Sequence, residues 1–183
     1  MALREGIPLG TGALDELHRV NARIAEYRKI AEEITTSVDG ARIVKGPTLA
    51  RDYPAGILRP SGDLDVIVRD ERDLWRGAHI VQQRHVLDPV ELTLLDTPST
   101  RHIVLSVYWP ADDPVLDEDL CVELCTPAFV GDLAGVPIRE RLPEDPWLAN
   151  LLAICEERFQ RQYKAKDLFD LVVLGATAPP DPV

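Results

Sequence analysis

Two periodicities divide the chain into helical and extended segments. Apolar side chains at three- and seven-residue steps, such as Leu17, Ile24 and Ala31, form one stripe and predict an amphipathic helix near the start of the chain. Alternating polar and apolar residues predict strands, and turns rich in Gly, Pro, Ser and Asp separate these segments. In chain order the predicted elements are helix 13–37, strand 41–45, short helix 47–53, strand 63–68, helix 71–85, strands 90–95, 103–109 and 120–125, and helices 147–162 and 166–174.

This intermixing of helices and strands predicts a mixed α/β domain of the α+β class, with a central mixed sheet flanked by helices. A chain of 183 residues is long enough for one such domain with a sizeable core. Residues 1–40 would form an N-terminal helix that packs on a core at 41–145, and 146–177 would add C-terminal helices to the same domain. Residues 178–183, which are rich in proline, are predicted to be a disordered tail.

Composition narrows the classes of partner. No apolar run approaches the ~20 residues that cross a bilayer, and the first residues lack the apolar core of a signal peptide, so we expect a cytoplasmic protein without a membrane partner. The 20 Lys and Arg residues against 31 Asp and Glu residues give a net charge of −11. Such a surface repels nucleic acid at long range, which disfavours a general DNA or RNA binder but permits a small basic pocket. Three cysteines do not suggest a disulfide framework.

The acidic pair Asp63 and Asp65 opens a strand that is otherwise apolar. Side chains two residues apart on a strand point to the same face. Two carboxylates held in this way repel each other unless a cation lies between them, and carboxylate oxygens suit Mg²⁺ or Mn²⁺. Acidic pairs two residues apart also arise by chance in so acidic a chain, as at Asp117 and Asp119, so the pair gains its meaning from its context.

That context is a strand-turn-helix pattern at 44–50, just before the acidic strand. Gly46 lets the backbone approach a ligand closely, the start of the following helix favours phosphate, and Lys45 adds positive charge. The alternative is an ordinary strand-to-helix turn. Arg59 and Ser61 precede the acidic pair, and the Arg59 guanidinium is expected either to hold a phosphate or carboxylate or to pair with Asp63 and shape the loop.

Residues 43–68 resemble the nucleotidyltransferase superfamily, the group related to DNA polymerase β, and are most similar to the bacterial uncharacterised nucleotidyltransferases. The resemblance implies a nucleotidyltransferase-type central sheet, with Asp63 and Asp65 as catalytic metal ligands. The chain departs from the superfamily at Pro47, where many members carry a serine whose hydroxyl contacts phosphate. The residues that match the bacterial group are Lys45-Gly46, Leu49-Ala50, Tyr53-Pro54, Arg59 and Asp63-Leu64-Asp65.

A third carboxylate on a later strand is also implied by the resemblance. Glu123 is the first candidate, because its neighbours Val122 and Leu124 would point into the core and leave it on the open face. Glu91 is the second candidate. For either residue the alternative is an exposed strand glutamate without a role at the site.

The segment 161–170 is similar to a motif of toxin-type nucleotidyltransferases, with Lys166 where an arginine is usual. By that resemblance Lys164 would bind the triphosphate, with Asp167 beside it. Residues three apart share a face of a helix, so the alternative is an ion pair between Lys164 and Asp167 on the protein surface.

The resemblance therefore implies an enzyme that uses Mg²⁺ or Mn²⁺ to move a nucleoside monophosphate from a nucleoside triphosphate (NTP) to an acceptor, with release of pyrophosphate. The acceptor would be a hydroxyl or phosphate on a small molecule or macromolecule. Two alternatives stay open: a catalytically degenerate member that binds nucleotide or a protein partner, and a toxin-type enzyme with tRNA as acceptor. The residues predicted to bind the nucleotide are Lys45, Gly46, Arg59, Ser61, Lys164 and Asp167.

Overall fold

Five strands form one sheet, with helices on both of its faces, in the computed structural model, which describes residues 8–97, 100–132 and 135–178. This confirms the predicted α+β class. Apart from residue 178, the predicted disordered tail lies outside the described residues. The helices are α1 (Thr11–Ser37), α2 (Gly46–Ala50), α3 (Glu71–Arg84), α4 (Pro146–Gln160) and α5 (Ala165–Ala176), and the strands are β1 (Arg42–Val44), β2 (Asp63–Ile67), β3 (Val90–Asp96), β4 (Arg101–Trp109) and β5 (Leu120–Cys125).

The order of strands across the sheet is β1-β2-β5-β4-β3. Strands β2 and β5 pair in parallel, and the other neighbours pair antiparallel, so the sheet is mixed as predicted. The last strand in the chain therefore lies in the middle of the sheet, directly beside the strand that begins with the acidic pair. This long-range pairing determines which side chains meet at the site.

One face of the sheet carries the main core. Leu64 and Val66 of β2 and Leu124 of β5 are fully buried there against α1 and α3. Helix α3 approaches β5 closely at Gly77, where a Cβ would lie 2.4 Å from Cδ2 of Leu124. The glycine is thus explained by packing, since a side chain at this position would displace the helix or the leucine.

Helix α1 also fixes the starts of both central strands. The Tyr27 hydroxyl donates to the carbonyl oxygen of Gly62 at 2.7 Å and accepts from the N–H of Cys121 at 3.0 Å. Tyr27 is only 1% exposed, so these hydrogen bonds are shielded from water. They fix the starts of β2 and β5, close to the polar side chains that these strands carry on the opposite face of the sheet.

The opposite face is covered only in part. Helices α2, α4 and α5 meet in a small core of Leu49, Ile154 and Leu174, beside the β1 edge of the sheet. This leaves the middle of that face open. None of the helices in the described part of the chain is both long and apolar enough to cross a membrane.

Several predicted boundaries differ from the observed ones. Helix α2 ends at Ala50, before Tyr53, and α4 ends at Gln160, where Arg161 takes an extended conformation. Helix α5 begins at Ala165, and the residue before it, Lys164, caps it instead of lying within it. The alternative in which Lys164 and Asp167 share a helical face is therefore wrong, whereas the predicted break between the two helices around Lys164 agrees with the structure.

Candidate functional site

The open face of the sheet forms the floor of a cleft of about 700 Å³, with α4 and the start of α5 along one side. All residues predicted to form the site line this cleft, except Ser61. The Ser61 hydroxyl lies behind the turn, 3.6 Å from where a Cβ of Gly46 would be. The fold thus gathers residues that lie far apart in the sequence.

A row of acidic side chains crosses the floor. Asp65 of β2 is in register with Glu123 of β5, and side chains at paired positions of neighbouring strands point to the same face. Asp63 shares that face because it is two residues before Asp65. The row continues through Ser106 of β4 to Glu91 of β3.

This register distinguishes the two candidates for the third carboxylate. Glu123 is the direct neighbour of Asp65, whereas Glu91 lies three strands away, which is roughly 14 Å at the usual spacing of about 4.8 Å. Ser106 donates its hydroxyl to Glu123 at 3.3 Å. The geometry therefore groups Glu123, and not Glu91, with the acidic pair.

Burial disfavours the charged form of Asp65, the acidic residue in the middle of β2. Burial raises the pKa of Asp65 to about 7, and the nearby carboxylates of Asp63 and Glu123 add to the rise, while the Lys45 ammonium opposes it. Burial alone would lower the pKa of Lys45, but Asp65 and Glu157 outweigh it and hold that pKa above its usual value. The site therefore depends on close pairing of opposite charges.

Lys45 supplies that pairing. Its Nζ lies 3.2 Å from Oδ2 of Asp65 and 2.7 Å from Oε1 of Glu157, so one ammonium joins β2 to α4. Lys45 has a φ of 53°, a left-handed conformation that costs a side-chain-bearing residue on the order of 1–3 kcal/mol. The N–H of Lys45 donates to Oδ1 of Asn150 at 2.7 Å, which secures this conformation.

The turn after Lys45 offers a ligand fewer backbone donors than the sequence suggested. Gly46 has a φ of 34°, and Pro47 has no N–H. The N–H groups of Thr48 and Leu49 both donate to the carbonyl oxygen of Lys45. This helix start is therefore a weaker phosphate site than its sequence predicted, because the short helix uses the N–H groups of Thr48 and Leu49 itself.

Arg59 forms a buried ion pair that the sequence did not predict. Its Nε and Nη2 donate to the two carboxylate oxygens of Asp170 on α5, each at 2.8 Å, and Nη1 donates to the Ser61 hydroxyl at 2.9 Å. The Tyr53 hydroxyl also donates to Asp170. Arg59 thus pairs with Asp170 and not with Asp63, and with Ser61 it anchors the loop before β2 to α5.

Asp167 has a similar anchoring role at the start of α5. Its carboxylate accepts from Nη1 of Arg161 at 2.6 Å and from the N–H of Lys164 at 2.7 Å. The hydrogen bond from Arg161 holds the pKa of Asp167 below its usual value. The alternative of a side-chain ion pair between Lys164 and Asp167 is thus wrong, because Asp167 pairs with Arg161, while Lys164 itself lines the cleft.

Glu157 in α4 and Arg161 directly after its end also belong to the site, although sequence reasoning missed them. Glu157 bridges the Lys45 ammonium and Nη2 of Arg161, the latter at 2.8 Å. A chain of alternating charges therefore runs from Asp65 through Lys45, Glu157 and Arg161 to Asp167. The spacing of Glu157 and Arg161, four residues apart on a predicted helix, indicated an ion pair but not that this helix lies over the acidic strand.

The two cysteines that flank Glu123 on β5 are buried thiols. Cys121 and Cys125 are buried on either side of it, and burial raises the pKa of Cys121 to about 12 and that of Cys125 well above its usual value. Both thiols therefore stay protonated at neutral pH.

In residues 8–97, 100–132 and 135–178, no three His, Cys, Asp or Glu side chains are already grouped as a metal site. Asp63, Asp65 and Glu123 share a face of the sheet, but the Lys45 ammonium lies against Asp65.

Neither a scan against protein-family models nor a search of curated proteins finds a match to this chain.

Proposed function

We propose that this chain is a metal-dependent nucleotidyltransferase that moves a nucleoside monophosphate from an NTP to an acceptor. The observation that carries the proposal is the register of β2 and β5, which sets Glu123 beside Asp65 on the floor of an open cleft. Together with Asp63 they form a set of oxygen ligands of the kind that Mg²⁺ and Mn²⁺ prefer. The resemblance of residues 43–68 to nucleotidyltransferases supports the same reaction.

The three carboxylates would hold the divalent ion once Asp65 is released from Lys45. A bound ion of this kind neutralises charge on the phosphates and orients them for in-line attack. The chain's own contribution is to position the reactants: Lys164 lines the side of the cleft at α5 and would attract the triphosphate. Arg59 acts indirectly, because it fixes the loop that leads into β2.

The size of the cleft and the net charge of the chain favour a small acceptor. Its volume of about 700 Å³ lies within the range of roughly 300–1,000 Å³ that is common for small-molecule sites. The net charge of −11 disfavours a long nucleic acid. A hydroxyl or phosphate of a small molecule is therefore the preferred acceptor, and tRNA is the rival that the resemblance to toxin-type enzymes motivates.

Two observations favour a second function, a nucleotide- or protein-binding role without catalysis. The Lys45 ammonium already compensates Asp65, as a metal ion would. The serine expected after Gly46 is also replaced by Pro47. Calorimetry separates the two functions, because Mg²⁺-dependent NTP binding without turnover on any acceptor would favour the second.

The proposed activity is tested by incubating the protein with Mg²⁺, each of the four labelled NTPs and a panel of acceptors that includes tRNA. We expect transfer of label with release of pyrophosphate, and its loss in the double variant Asp63→Asn/Asp65→Asn. Circular dichroism establishes that the variant is folded. Equal transfer by the parent and the double variant would contradict the proposal.

A further inference from the structure

The Lys45 ammonium is shared by carboxylates from two different parts of the fold. Asp65 belongs to β2 in the floor of the cleft, and Glu157 belongs to α4 at its side. The side chains of Lys45, Asp65 and Glu157 are 18%, 13% and 18% exposed, so water screens their interactions only weakly. The ammonium is therefore the local counter-ion of the acidic floor.

The Asp65 carboxylate cannot bind the Lys45 ammonium and a divalent ion equally well at the same time. Its Oδ2 contacts the ammonium, and a divalent ion on the same carboxylate would bring two positive centres together. Glu157 provides a second partner for the ammonium, and it is closer to Nζ than Asp65 is, at 2.7 Å against 3.2 Å. Arg161 binds the other oxygen of Glu157 and keeps this carboxylate in place.

We propose that Lys45 and the divalent ion compete for Asp65, and that Glu157 retains the Lys45 ammonium when the ion binds. This inference rests on the proposed function, because it concerns the same metal site. The exchange needs no movement of the backbone, since Asn150 holds the N–H of Lys45 and the flexible four-carbon side chain alone changes partner.

The exchange links metal binding to nucleotide binding. A Lys45 ammonium that leaves Asp65 is freed beside Gly46, on the wall of the cleft where the triphosphate is proposed to bind. Phosphate oxygens would then replace Asp65 as its partner, so the nucleotide favours the arrangement that the metal needs. By reciprocity the metal strengthens nucleotide binding by the same factor.

The test measures Mn²⁺ binding without nucleotide, by electron paramagnetic resonance of the free ion. We expect Lys45→Gln to tighten Mn²⁺ binding by roughly tenfold, because the competing charge is gone. Lys166→Gln is the matched control, since it removes the same charge from the wall of the same cleft without an ion pair to Asp65, and it should change binding much less.

A second variant reports on Glu157 with the lysine in place. Glu157→Gln should weaken Mn²⁺ binding, because Asp65 becomes the only carboxylate partner of Lys45. Glu156→Gln is its control: it removes the same charge from the adjacent residue, whose carboxylate accepts from backbone N–H groups of 130 and 131 instead. The double variant Lys45→Gln/Glu157→Gln should bind Mn²⁺ like Lys45→Gln, because Glu157 acts through the lysine.

The outcomes separate this inference from the proposed function. Equal or weaker Mn²⁺ binding by folded Lys45→Gln, with the parent binding Mn²⁺, would overturn the exchange and leave the proposed function standing. Binding by Lys45→Gln but not by the parent would support the competition and contradict metal-dependent catalysis. No binding by either protein would overturn both.

Discussion

Asp65 and Glu123 lie side by side on two parallel strands that are far apart in the sequence. Neither carboxylate could be placed next to the other without the pairing of β2 with β5. This neighbouring position unites the acidic pair with a third carboxylate, and it is the relationship on which the proposed metal site depends.

The buried ion pair between Arg59 and Asp170 should be important for stability. Its side chains are 2% and 1% exposed, so Asp170→Asn would leave the guanidinium without its charge partner in a dry environment. We expect a loss of about 3–5 kcal/mol in the free energy of unfolding, measured by urea denaturation. Asp39→Asn, which breaks the exposed pair with Arg69, is the control and should leave the urea midpoint almost unchanged.

The space around Gly77 and Gly175 predicts that substitution by alanine has opposite effects on stability at these two positions. Gly77→Ala would bring a Cβ to 2.4 Å from the fully buried Leu124 and should destabilise the fold by about 1–3 kcal/mol. Gly175→Ala in α5 meets no atom within 4 Å and should stabilise it by about 0.5–1 kcal/mol. Thermal unfolding of both variants checks this, and a harmless Gly77→Ala would show that the packing is looser than described.

The raised pKa of Asp65 predicts how stability changes with pH in metal-free buffer. Burial raises this pKa to about 7 in the folded chain, against 3.8 for the ordinary group, so between these values the folded state binds more protons than the unfolded state. The contribution of Asp65 to stability is therefore present at acid pH and is lost as the pH rises through 7. Asp65→Asn should lack this decline when urea unfolding is compared between pH 5 and pH 8, and a parallel decline in both proteins would assign it to another group.

Thiol reactivity should distinguish the three cysteines. Cys155 is half-buried, whereas Cys121 and Cys125 are buried with raised pKa values. A disulfide reagent at neutral pH should label Cys155 first in the native protein and the other two only on unfolding. Rapid labelling of a Cys155→Ser variant would contradict the described burial.

The sequence was sufficient for features with a local cause. The pattern of residues 63–68 predicted a strand with Asp63 and Asp65 on one face, and the structure has this strand, with Leu64 and Val66 buried on the other face. The fold class followed from the order of helical and extended patterns. The predicted break between α4 and α5 around Lys164 was also correct to within about two residues, while the contacts of the Asp167 carboxylate with Arg161 and with the N–H of Lys164 fix where each helix ends and begins.

The partners of the site residues could not be derived in this way. Arg59 pairs with Asp170 across 111 positions and Lys45 pairs with Glu157 across 112. No periodicity along the chain reports on such distances. The same limit applies to Glu123, whose place beside Asp65 depends on the insertion of β5 between β2 and β4.

In the proposed site Asp63, Asp65 and Glu123 share one divalent ion. The most direct test compares Mn²⁺ binding by Glu123→Gln with that by Glu91→Gln, two equal charge changes on the same face of the sheet. Glu123→Gln should weaken Mn²⁺ binding by tenfold or more, because mutation of a residue that only supports a metal ligand already lowers metal affinity by about 10–100-fold. Glu91→Gln should bind Mn²⁺ like the parent. Equal Mn²⁺ affinity in both variants would contradict the account.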